Sequence, residues 1–151
     1  MFKFFNSFFG TDNADSQLLA DVQSAADALD IPLAKAAHEN WKHRLQAYLD
    51  GTSQEEFLPE VICFDDRCDL GRWIHGEGQK RLGRFAGFTA LMGHHKMFHY
   101  AASNVVALAK SGKQAEARKM MDVQFRDYSL ATIDSLNSLE RAIARPPAKR
   151  K

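Results

Sequence analysis

Apolar residues recur at intervals of three or four along most of this 151-residue chain, a spacing typical of amphipathic α-helices. No segment shows the strand pattern, in which apolar and polar residues alternate between hairpin turns. Short connections containing glycine, proline or polar residues separate the helical segments. We therefore predict an all-α fold in which long helices pack as an antiparallel four-helix bundle.

Glycine, proline and aspartate residues indicate where these helices begin and end. We expect Asp30 to cap the second helix, and Gly51 and Gly112 to follow the ends of two others. Residues 51–65 are predicted to form a loop, followed by a short extra helix. The predicted helices cover residues 16–29, 31–50, 66–75, 85–111 and 114–144.

Two histidines lie in the middle of the apolar stripe of the long predicted helix at residues 85–111. His95 and His99 are four residues apart, so both side chains project from one face of the helix. Buried imidazoles need polar partners, and two at this spacing can chelate a metal ion. Two hydrogen-bonded core histidines would produce the same pattern. His38 lies on the apolar face of the second helix and adds a third inward imidazole.

Cys68 is a fourth candidate ligand, near the start of the short helix. We expect Asp65 or Asp66 to cap this helix, so that the helix dipole lowers the pKa of the Cys68 thiol and favours thiolate. A small buried residue is the alternative for Cys68, and it is our interpretation of Cys63. Three histidines and one cysteine form a complete tetrahedral set for Zn²⁺. Because this set leaves no open coordination position, we do not expect an enzyme.

Three short motifs contain the candidate ligands and resemble a known family. In this order and at these separations, they resemble the HxxWK, CxLGxW and HxxFH elements of the bacterial chemoreceptor zinc-binding (CZB) domain. The resemblance covers about residues 33–140. The motifs read His38-Glu-Asn-Trp41-Lys42, Cys68-Asp-Leu-Gly-Arg-Trp73 and His95-Lys-Met-Phe-His99.

The resemblance implies a four-helix bundle, often homodimeric, that holds zinc through His38, Cys68, His95 and His99. It also implies a signalling role, because such domains usually regulate a chemoreceptor or a diguanylate cyclase. Zinc binding changes the output, and in some members oxidation of the cysteine by hypochlorous acid has been proposed as the trigger. The chain has no room for an output domain, so we expect a partner in trans. The alternative is a constitutive interaction module with a purely structural zinc.

The two ends of the chain lie outside the predicted bundle of residues 16–144. Residues 1–15 include the segment MFKFFNSFF, which holds five of the eleven phenylalanines. We expect this segment to pack on the bundle, self-associate, or contact a partner or a membrane surface. Residues 145–151 are basic and are interpreted as a solvated tail.

Composition and charge narrow the possible partners and compartments. The net charge is +1 and no broad basic face is evident, so nucleic acid is not an expected partner. We expect no membrane span, because no segment approaches the length of apolar sequence that a bilayer requires. With two cysteines and no pattern of a secretory signal, a cytoplasmic location is expected.

Overall fold

The computed structural model describes residues 16–144, and within them the fold is entirely helical. This confirms the all-α prediction for that part of the chain. A kink at Gly76, within Ile74–Gly78, joins α4 to α5, and the π-helical turn Met121–Phe125 joins α7 to α8. The helices are α1 (Ser16–Asp27), α2 (Ile31–Leu49), α3 (Pro59–Ile62), α4 (Asp69–Trp73), α5 (Gln79–Leu82), α6 (Ala86–Lys110), α7 (Gln114–Met120) and α8 (Arg126–Ala144).

The expectations for the Phe-rich segment and for the basic tail fall on residues 1–15 and 145–151, which lie outside the described residues. Within residues 16–144, no helix is both long enough and apolar enough to cross a lipid bilayer.

Cap geometry confirms several predicted helix ends. The Asp30 carboxylate accepts a hydrogen bond from the Leu33 N–H at 2.9 Å and so caps α2. Gly51 and Gly112 have φ angles of 72° and 75° just beyond α2 and α6. Glycine adopts this left-handed conformation without the steric penalty that a side chain brings, so it ends both helices.

The segment between α2 and α6 differs from the prediction in three places, one of which is α5, where the sequence pattern predicts no helix. The predicted loop at residues 51–65 contains α3, which begins at Pro59, because the fixed φ of proline suits a first helical turn. The short helix begins at Asp69, and Cys68 itself is its N-cap, with Sγ accepting a hydrogen bond from the Gly71 N–H at 3.3 Å. The prediction that Asp65 or Asp66 caps this helix is therefore wrong.

The core consists of two apolar clusters, and each long helix contributes residues to both. On each of these helices a buried polar residue lies between the two sets of apolar residues. On α6, His95 lies between Leu91 of the first cluster and Phe98 of the second. On α2, His38 separates the residues of the same two clusters, and on α8 Thr132 lies between the second cluster and the first. All three polar residues are buried. The core therefore has a polar middle section.

Candidate metal centre

Four potential metal ligands converge between α2, α6 and the turn before α4. His38, Cys68, His95 and His99 each offer one ligand atom, and these atoms lie within 4.8 Å of one another. Cys68 Sγ is 3.3 Å from His95 Nε2 and 3.7 Å from His99 Nε2, and the two Nε2 atoms are 3.2 Å apart. The structure thus brings together all four residues that the sequence singled out.

The distances between these atoms suit a tetrahedral zinc ion. With Zn–N bonds of about 2.0–2.1 Å and a Zn–S bond of about 2.3 Å, tetrahedral geometry places two nitrogen ligands about 3.3 Å apart and nitrogen about 3.6 Å from sulfur. The N–N distance of 3.2 Å and the N–S distances of 3.3 and 3.7 Å among His95, His99 and Cys68 lie close to these values. The ligand atom of His38 lies within 4.8 Å of the other three. The residues present therefore fit zinc.

Backbone carbonyls orient two of the imidazoles toward the centre. His38 Nδ1 lies 2.7 Å from the Ala34 carbonyl oxygen, and His99 Nδ1 lies 2.8 Å from that of Ile62. Because a carbonyl only accepts hydrogen bonds, Nδ1 of each ring carries the hydrogen and Nε2 keeps the lone pair that a metal needs. Among the described residues, the buried Nε2 of His38 has no hydrogen-bond partner. The lone pair of this nitrogen would coordinate a metal ion bound there.

Burial keeps the three histidines in the neutral form that binds metal. It lowers the pKa of His95 to about 2, with the neighbouring His99 and His38 adding to the effect. Burial is also the largest cause of the lowered pKa values of His38 and His99. Neutral imidazoles need not release a proton before they coordinate zinc, so these rings are ready ligands at neutral pH.

The pKa of the Cys68 thiol is shifted in the opposite direction to the prediction. Burial raises its pKa, and this outweighs the lowering by hydrogen bonds from the backbone of Gly71, Cys68 and Leu70. The prediction that the helix dipole lowers this pKa is therefore wrong for the metal-free protein, because desolvation of the thiolate dominates beside a helix of only five residues. Zinc itself would favour the thiolate, because a coordinating thiol is deprotonated.

Tight packing positions the turn that carries Cys68. A Cβ added to Gly71 would lie 1.7 Å from the Asp65 carbonyl oxygen, so the absence of a side chain lets this turn pack on α4. The Trp73 indole N–H donates to the Ala25 carbonyl oxygen at 2.8 Å and joins α4 to α1. Leu70 is buried in the first cluster. The non-ligand residues of the cysteine motif thus hold Cys68 in place.

Cys68 is the candidate ligand most open to solvent. The three histidines are each 4% exposed or less, whereas Cys68 is only partly buried. It lines two clefts, one of about 780 Å³ beside His38 and one of about 320 Å³ beside His99. Both clefts therefore reach the residue that carries the candidate sulfur ligand.

The buried histidines should make the stability of the metal-free protein depend on pH. Because their pKa values lie below the ordinary value of about 6.5, the unfolded chain binds protons below that pH that the folded chain does not. We expect the free energy of unfolding to fall from pH 6.5 to 5, by up to about 1.4 kcal/mol per pH unit for each histidine. Urea unfolding of metal-free protein at several pH values measures this slope.

Matched variants identify the groups responsible for the slope. His43 is exposed, so His43→Gln should leave the pH dependence unchanged. His95→Leu removes one of the buried imidazoles and should reduce the slope. The same slope in both variants would contradict the assignment.

A comparison with protein families connects this geometry to a known domain. The family model described as the chemoreceptor zinc-binding domain matches residues 38–106, a span that contains all four candidate ligands. Residues 38–106 thus match the CZB domain family, and the His/Cys/His/His cluster is consistent with that match. CZB domains bind zinc, so zinc is the cofactor that the three imidazoles and the thiol would hold.

The CZB family is a regulatory zinc-binding family and not a catalytic one. Comparisons with curated proteins and with solved structures gave no significant match. The CZB match ends at Val106 within α6, so α7 and α8 lie beyond it, although both pack against α6. The described domain is therefore larger than the part that the family model matches.

Proposed function

We propose that this protein is a zinc-responsive regulator in which His38, Cys68, His95 and His99 bind one Zn²⁺ ion. The convergence of these four donors from three separate segments of the chain carries the proposal. Four protein ligands fill a tetrahedral zinc site and leave no position for a reactive water. This arrangement supports binding and sensing rather than hydrolysis.

Zinc occupancy would connect α2 and the Cys68 turn to α6. The histidines lie on helices of 19 and 25 residues, whereas Cys68 caps a helix of five residues, so the cysteine turn is the part best able to move. Oxidation of the sulfur would have the same effect as zinc loss, because an oxidised cysteine is a poor ligand. We propose that a partner in bacterial signalling, a chemoreceptor or a diguanylate cyclase, responds in trans to this change.

The proposal includes an antiparallel four-helix bundle, a homodimer and a cytoplasmic location. The packing of α6 against α2, α7 and α8 supports the bundle. Leu33 and Leu130 are 59% and 56% exposed, and such large apolar side chains support self-association. Light scattering on the full chain, with and without zinc, measures the oligomeric state.

A constitutive interaction module with a structural zinc is the second candidate. It is favoured by the position of His38 and His95 between the two apolar clusters, because a metal there could be required for folding itself. In that case, zinc removal should unfold the whole domain. A regulator should instead keep most of its helix and change gradually with free zinc.

A zinc titration followed by circular dichroism separates the two functions. We expect about one zinc per chain in the purified protein, and helical structure that largely persists after chelation. Free zinc about a thousandfold above Kd adds about 4 kcal/mol of stability. For a chain of this size, that should raise Tm by about 8–16 °C. Collective melting on chelation would favour the structural role, and folded protein that is purified without zinc and does not bind added zinc would contradict both.

A further inference from the structure

The metal-site cysteine lies within a closed loop of the chain. His75 Nε2 is 2.8 Å from Asp65 Oδ2, and these two residues lie on either side of Cys68 in the sequence. Inside this loop, the Arg72 guanidinium donates to the Arg67 carbonyl oxygen at 2.6 Å. The Asp65–His75 contact therefore closes a ring, residues 65–75, that contains the candidate sulfur ligand.

Cys68 lies beside a much shorter helix than the histidines do, so its position depends on the contacts of this ring. A five-residue helix such as α4 has little stability of its own, because nucleation of so short a helix is unfavourable. Leu70 and Trp73 are buried in the core and anchor the part of the ring that follows Cys68. The part of the ring that precedes Cys68 is held at Asp65, whose backbone packs on Gly71 and whose side chain contacts His75.

We propose that the Asp65–His75 pair is a positioning element that raises the zinc affinity of the site by fixing the turn that carries Cys68. This inference rests on the proposed ligand set. In the described part of the chain, the four-donor cluster includes neither residue. Their role is thus to limit the movement of the sulfur and not to bind the ion.

The charge of Asp65 adds a second contribution. Its side chain is only 17% exposed, and its field raises the pKa of His99 against the larger lowering by burial. One thiolate leaves the zinc-bound site with a net positive charge, which a nearby carboxylate stabilises. Loss of His75 removes only the contact, whereas loss of Asp65 removes the contact and the charge. Asp65 should therefore have the larger effect.

The test measures the zinc affinity of full-length variants by competition with a chromophoric chelator. We expect His75→Ala to weaken zinc binding about fivefold to tenfold, in line with the loss of one hydrogen bond. Asp65→Ala should weaken binding further, and the double variant should be no weaker than Asp65→Ala alone, because the contact is shared. His75→Gln keeps a hydrogen-bond donor and should recover part of the loss.

Glu77→Ala provides the matched control. Glu77 forms exposed ion pairs with Lys80 at 3.0 Å and Arg81 at 3.1 Å, close to His75 in the sequence, but these pairs do not span Cys68. Its zinc affinity should remain within about twofold of the wild type, as expected for exposed ion pairs. An effect of His75→Ala no larger than that of Glu77→Ala would overturn the inference.

Cobalt substitution and thermal unfolding separate positioning from other effects. The Asp65 and His75 variants should retain the sulfur-to-cobalt charge-transfer absorption, because Cys68 remains a ligand. Loss of that absorption would overturn the inference, as would a lower Tm of the metal-free variants with unchanged zinc affinity. Failure of the wild type to bind zinc would instead reject the proposed ligand set, and this inference with it.

Discussion

Replacing Cys68 with alanine is expected to weaken zinc binding by more than about a hundredfold. Groups that only orient metal ligands contribute about tenfold to hundredfold, and loss of a ligand removes a bond to the metal itself. Cys68 Sγ lies within 3.7 Å of both His95 Nε2 and His99 Nε2. Among the described residues, the donor cluster contains no fifth group that could replace this sulfur. Chelator competition on the full chain measures the change.

Cys63→Ala is the matched control for this prediction. The Cys63 thiol lies 3.6 Å from the Glu60 carbonyl oxygen and is not part of the four-donor cluster. The variant should bind zinc as the wild type does. Equal losses in the two variants, or normal affinity in Cys68→Ala, would contradict the assignment of the sulfur ligand.

Replacing Gly71 with alanine should disrupt the site without touching a ligand. The added Cβ would lie 1.7 Å from the Asp65 carbonyl oxygen and 2.8 Å from its carbon, and these backbone atoms cannot move aside by a rotamer change. Overpacking of this kind costs about 1–3 kcal/mol, and more where the backbone must shift. We expect the free energy of unfolding to fall by about 3 kcal/mol, and zinc affinity to fall with it as Cys68 is displaced.

Gly93→Ala shows whether the effect is specific to that close contact. Gly93 lies in α6, two residues before His95, and a Cβ there would meet nothing within 4 Å. Alanine is favoured over glycine in a helix interior by about 0.5–1 kcal/mol, so this variant should be slightly more stable. Denaturant unfolding and zinc competition on both variants give the comparison. Similar behaviour of the two would contradict the role given to Gly71.

Local spacing was sufficient to predict much of the site. His95 and His99 share a helical face because they lie four residues apart, and His38 is placed by the apolar residues around it. The helix boundaries at Asp30 and Gly51 could be predicted because an aspartate that caps a helix and a glycine that follows one are recognised by residue type alone. Cys68 was proposed as the fourth ligand from its place near a helix start and from the chemistry of zinc, and the motif resemblance supported the same set.

The segment between α2 and α6 could not be predicted in the same way. Its structure depends on tertiary contacts, such as the packing of the Asp65 backbone on Gly71 and the contact of His75 with Asp65. The thiol pKa of Cys68 was predicted in the wrong direction, because the sequence shows a helix start but not the burial around it. The structure of this segment and the pKa of Cys68 therefore depend on tertiary packing, which the local sequence pattern does not show.

The polar section between the two apolar clusters has a consequence for how the helices align. A slip of one helical turn, about 5.4 Å, would move His38 out of line with His95 and place imidazoles against apolar side chains. Apolar clusters alone tolerate such sliding, because one aliphatic contact replaces another. The buried histidines on α2 and α6 therefore favour one alignment of the two helices, even in the absence of metal.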